Sequence, residues 1–167
     1  MSSPRPLPII PIGAPPPPGD ADFNDKMTSL LHAYDRLWCD LDFVGISALW
    51  DRDEGLPIYI GDEYPAPLIG WHELARHWGK LGGRLHSAEM SSRQVAANRV
   101  GSDLAVLVFL SVWELVAVES PERHTGQRWV TAILRKGGAG WRFIYVAEAP
   151  AFLAAEQIEE LSVGESA

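Results

Sequence analysis

Residues Asp103 to Glu119 form one long run that is apolar on both of its alternating faces. Val106, Val108, Leu110, Val112 and Val116 make up one series, interrupted by Glu114. Leu107, Phe109, Trp113 and Leu115 make up the other, interrupted by Ser111. Successive side chains of an extended chain point to opposite faces, so this run reads as a long strand that needs cover on both sides. The chain's own helices can cover one face, and a second subunit is an economical cover for the other.

The helices come first in the chain. Phe23, Met27, Leu30, Leu31, Tyr34, Leu37, Trp38 and Leu41 recur at steps of three and four and trace one stripe of a helix that begins near Asp20 or Asp22. A short second helix is predicted from Phe43 to Trp50, capped by Asp42 and ended by Asp51-Arg52-Asp53-Glu54-Gly55. A third is predicted from Trp71 to Leu81, stopped by Gly82-Gly83. Between them, Pro57, Pro65 and Pro67 frame Ile58-Tyr59-Ile60, which reads as one short strand and a loop.

After residue 84 the period becomes two. Strands are predicted over 85–99, 103–119, 127–136 and 141–148, with turns at Pro121–His124 and Gly137–Gly140, and Pro150 is read as opening a short acidic helix. Three helices followed by a strand meander make an α+β domain. The expected organisation is a disordered proline-rich tail over 1–19, a domain over 20–150 and a C-terminal helix or tail over 151–167.

Composition narrows the function. The net charge is −8, which argues against binding nucleic-acid backbones or a membrane through basic residues. A single cysteine, Cys39, fits a reducing compartment, and the proline-broken start after Arg5 does not read as an export signal, so a cytoplasmic location is expected. The seven tryptophans read as core packing or, for several, as the lining of a cavity. Five histidines show no metal-ligand spacing, and neither a metal nor a cofactor is expected. His77, beside Trp78, reads as packing or solvated, or as reaching a pocket mouth.

Three local pieces, in this order, carry a family resemblance. They are Tyr34 to Trp50 followed by Asp51-Arg52-Asp53, then Gly70-Trp71-His72-Glu73-Leu74, then Thr131–Lys136 with Gly140-Trp141-Arg142-Phe143. Over roughly residues 22–149 the chain resembles the nuclear-transport-factor-2-like superfamily, which includes ketosteroid isomerases, SnoaL-like cyclases and scytalone-type dehydratases. The resemblance implies three helices packed on a strongly curved, mainly antiparallel sheet, a cone-shaped α+β barrel around an apolar pocket; the doubly apolar strand adds the expectation of a homodimer packed through the sheet.

It also implies candidate site residues. Tyr34 matches the family's helix-one tyrosine, a donor to a developing oxyanion, or is simply a core residue of its stripe. The isomerase base position falls within Ile58–Gly61, where no carboxylate stands, although Asp62 and Glu63 follow. The late-strand aspartate maps to Val130 or Thr131. Steroid isomerase activity is therefore not expected. Glu148 and Glu114 lie on faces that, by resemblance, look into the cone. A buried carboxylate there suits a general acid or base, unless it is wet or paired with Arg128, Arg142 or Arg93. Trp38, Trp50, Tyr59, Tyr64, Trp78, Val108, Leu110, Val112, Val130 and Val146 are the expected pocket lining. The expected function is binding of a hydrophobic small molecule. The alternatives are a cofactor-independent isomerase, dehydratase or cyclase using Glu148, Glu114 and Tyr34, and a dimeric interaction module.

Overall fold

A computed structural model describes residues 21–151. The expected proline-rich tail and the C-terminal helix lie outside the described residues. Helix α1 spans Ala21–Cys39, α2 Phe43–Ala48 and α3 Trp71–Gly82. Two short strands, β1 (Ile58–Ile60) and β2 (Leu68–Ile69), lie between α2 and α3. The strands β3 (Leu85–Val100), β4 (Leu104–Ala117), β5 (Ser120–Gly137) and β6 (Gly140–Pro150) follow. They form one six-stranded mixed sheet in the order β2-β1-β6-β5-β4-β3, antiparallel throughout except where β1 runs parallel to β6. No helix among the described residues is long and apolar enough to cross a membrane.

The predicted stripe of α1 is buried through Phe23, Met27, Leu30, Leu31 and Trp38, and the helix packs against β3. Leu41 turns the chain into α2 with a left-handed φ of 53°, and Asp42 then caps α2 by accepting a 2.8 Å hydrogen bond from the Gly45 amide. The 56–69 segment forms two strands, where sequence suggested one, because Leu68-Ile69 folds back to pair with Tyr59 and Ile58.

One boundary expectation fails at a proline. Pro121–His124 lies inside β5 and is no turn, for a register shift opposite Val116 and Ala117 lets β5 carry the extra residues around Pro121. Pro150 itself belongs to β6, and the acidic helix expected after it lies outside the described residues. Pro150 ends β6 opposite Arg128, at a strand terminus, where a missing N–H is tolerated.

The two faces of β4 are the main correction. The series Ala105, Leu107, Phe109 and Ser111 is buried against the helices, with Phe109 meeting Tyr34 edge-on at a centroid distance of 6.0 Å. Val108, Leu110, Val112 and Glu114 therefore lie on the outer face, away from α1. Val112 is 48% exposed, and Glu114 pairs with Arg123 at 2.5 Å. The physical reason is what each series meets across space: Phe109 finds Tyr34 of α1, whereas Val112 stands opposite Gln127 on an outward row. On that outer face Leu110 stands opposite Trp129, which is 41% exposed, and Val108 stands opposite Thr131.

Candidate functional site

Inward-facing β4 residues shorten at Ser111, between Phe109 and Trp113, and this leaves space beneath α1. The result is a cavity of about 300 Å³ lined by Tyr34 and Trp38 of α1, Tyr59 of β1, and Asp62 and Glu63 of the following loop. Leu81, Met90, Ser111, Trp113, Leu115, Arg128 and Glu148 complete it. Tyr34, Trp38, Tyr59 and Glu148 among the expected site residues meet here.

The others do not. Trp50 packs on Phe143 at 6.0 Å, and Val130 and Val146 are buried in the core beside the cavity without lining it. Tyr64 bonds to His77, its Oη 2.8 Å from Nδ1. Trp78 lines a different and larger groove of about 480 Å³ between α2 and α3, with Phe43, Val44 and Gly82. Among the described residues lining that groove the one carboxylate, Asp42, is occupied as a helix cap.

Glu148 is the chemical centre of the smaller cavity. Its side chain is 4% exposed and is bonded to Nη1 of Arg128. Burial raises its pKa to about 7, outweighing the opposing pull of Arg128, and Glu63 and Asp62 add to the rise. In Arg128, burial works against the charge but the Glu148 carboxylate more than compensates, so the guanidinium stays protonated. Its carbon also lies 5.2 Å from the centre of the Trp113 ring. Of the three arginines considered as partners for Glu148, Arg128 is the one that engages it.

The loop after β1 brings more acid. Glu63 accepts a 3.2 Å hydrogen bond from Tyr59 Oη, and Asp62 lies 3.7 Å from Arg128. Carboxylate oxygens of Asp62, Glu63 and Glu148 lie within 4.8 Å of one another. Such a cluster needs positive charge to hold together, and the Arg128 guanidinium supplies it. A Cβ at Gly61 would stand 2.8 Å from the Tyr59 ring and closer still to Glu63, so glycine lets this corner close.

Tyr34 keeps part of its surface open, toward the cavity, yet burial and then the nearby Glu148 push its phenol pKa well up. It is a neutral donor at any physiological pH. Tyr59 is raised for the same two reasons. His77 is 3% exposed and stacks on Tyr59 at 5.1 Å. Burial lowers its pKa to about 4, so it is a neutral packing residue. Of the lining, sequence missed Leu81 of α3 together with Met90, Ser111, Trp113 and Leu115, and the last four follow once the inward face of β4 and its β3 partner row are known. Arg128 was seen only as one partner among three.

No family model and no curated protein matches the chain. Solved structures do. A candidate dehydratase of the NTF2-like family from Streptomyces avermitilis superposes with a TM-score of 0.68 at 17% identity, covering 80% of this chain and 99% of that one. An NTF2-like superfamily protein from Salmonella enterica gives 0.70 at 15% identity, covering 82% and 97%. A candidate scytalone dehydratase from Novosphingobium aromaticivorans gives 0.69 at 8% identity, covering 78% and 85%. The chain has the nuclear-transport-factor-2-like fold. Identities this low establish the fold alone, because one fold carries many chemistries.

Proposed function

We propose that the sheet wraps α1 as a cone and that the chain binds a hydrophobic small molecule in the cavity between them. The observation that carries this reading is a nearly inaccessible carboxylate, Glu148, on the wall of a 300 Å³ aromatic-lined hollow. A carboxylate with a pKa near 7 beside a neutral phenol also favours a second reading, acid–base catalysis on the bound molecule without a cofactor. Glu148 then takes or returns the proton and Tyr34 donates to the oxygen that gains charge. A homodimer through the outer valine face of β4, resident in the cytoplasm, belongs to the same proposal.

The test is mass spectrometry of protein purified without denaturation, followed by rebinding of any molecule recovered. Retention of an apolar compound by the native chain, lost when Ser111→Phe fills the hollow, supports the reading. Unchanged retention in Ser111→Phe rejects the cavity as its place. For catalysis, Glu148→Gln must abolish turnover of a recovered substrate while the fold persists.

A further inference from the structure

We propose that the groove between α2 and α3 is a docking site for the chain's own segment Leu7-Pro8-Ile9-Ile10-Pro11-Ile12, which precedes the described residues. The groove is separate from the cavity that holds Glu148 and is the larger of the two. Phe43 and Trp78, stacked within 14° of parallel, back its wall, and Val44 on its rim is 82% exposed. At Gly79 the wall is bare backbone, where a Cβ would meet nothing within 4 Å.

The chemistry of groove and segment agrees. Asp42 is engaged by the Gly45 amide, and Arg52 donates to the Ser47 hydroxyl at 2.9 Å while lying over the Trp71 ring. The polar groups of the rim are thus already engaged within the fold, and what remains is apolar. The segment carries no charge, and Pro8 and Pro11 bring no N–H to be left unsatisfied. Proline-rich segments of this kind dock against aromatic-lined grooves, because little conformational freedom is lost.

Reach selects the groove. Its near edge, Leu41, comes just after the 19-residue α1, so it lies about 30 Å from Ala21. Ile12 stands nine positions before Ala21 and Leu7 fourteen. A proline-rich chain extends about 3.1 Å per residue, so these two positions reach about 28 and 43 Å, and the groove edge falls between them. The groove beside Lys26, Ala33 and Trp141 lies within about 18 Å of Ala21, the span of the stiff run Pro15 to Pro18. At the other end of the chain, residues 152–167 carry Glu156, Glu159, Glu160 and Glu165, and an apolar groove offers those charges nothing.

Thiol labelling of the full chain tests the docking. Val44→Cys in a Cys39→Ser background places one reactive thiol on the groove rim. Its maleimide labelling rate is compared with that of the same chain carrying Leu7→Ser, Ile9→Ser, Ile10→Ser and Ile12→Ser. A tether of this length holds the segment at an effective concentration on the order of 1 mM, so an intrinsic Kd of about 0.1 mM slows labelling about tenfold. The serine substitutions should restore the fast rate, and a free peptide of residues 4–14 in excess should slow it again. A thiol placed at Val112→Cys on the outer sheet face should be indifferent to the tail. Equal rates at position 44 with and without the serines overturn the proposal. So does a tail effect of the same size at position 112. Protection that fades on dilution assigns the groove to the tail of a second copy and overturns docking within one chain.

Discussion

Trp113 lies so close against Gly126 on the neighbouring strand that a Cβ at Gly126 would stand 2.3 Å from the indole Cζ2. Two residues paired across β4 and β5 thereby set how far one wall of the cavity stands back. Gly126→Ala is expected to push the ring into the hollow, to destabilise the fold by about 1–3 kcal/mol, and to weaken ligand binding. Pairing it with Trp113→Leu should recover part of the stability, so that denaturant unfolding of the two singles and the double gives a non-additive cycle. Additive losses would mean the ring does not press on residue 126.

Glu148 gives the fold a pH dependence with a defined sign. Its carboxyl has an ordinary value of 4.5 and is raised to about 7 in the folded chain. The unfolded chain ionises first, so the contribution is fully present below pH 4.5 and is lost as pH rises from there through 7. Glu148→Gln should remove that decline, a change on the order of 3 kcal/mol at most for a shift of this size. Thermal melts across the window check it, and an unchanged slope in the variant would assign the dependence to another group.

His77 acts in the opposite direction. Burial depresses its pKa from 6.5 to about 4. Its contribution is present above pH 6.5 and is lost as pH falls through 4, because the unfolded histidine takes up its proton first. His77→Gln should therefore be less sensitive to acid than the parent between these values, whatever its stability at neutral pH. In the parent the two groups partly offset each other. The single variants should tilt the stability profile in opposite senses.

The outer face of β4 is the fourth test. Leu110 and Val112, with Trp129 beside Leu110, leave an apolar strip on the side of the sheet away from α1. Light scattering should give a dimer mass for the parent and a monomer mass for Leu110→Lys/Val112→Glu, with the helical and strand signals of the fold retained. A parent that is already monomeric would reject the sheet-packed pair.

Sequence made the helices and the meander readable because their signals are local. The α1 stripe, the Asp42 cap and the Gly137–Gly140 turn each depend on a few neighbouring residues. The choice of inner face in β4 is not local. Both series are apolar, and the decision is made by what each meets across space: Phe109 reaches Tyr34, while Val112 meets Gln127 on an outward row. Four expected site residues fell on the wrong side for that one reason, and Met90, Ser111, Trp113 and Leu115 were overlooked for it. Arg128 and Glu148 are separated by twenty positions and share a site because β5 and β6 lie side by side. Asp62 and Glu63 reach it only through the β1–β6 pairing, which alternation in either segment cannot reveal.

That parallel pairing also orders events in time. Tyr59 sits beside Val146, and Ile60 beside Ala147, so the corner bearing Asp62 and Glu63 is anchored by the last strand of the domain. During synthesis the helices and the β3–β4 hairpin can form while the ribosome is still adding residues, but the hollow has no acidic rim until position 148 has emerged. Contacts this distant in the chain are slow to close. A nascent chain stalled short of β6 would carry the aromatic wall, unshielded, with nothing yet to give it a chemistry.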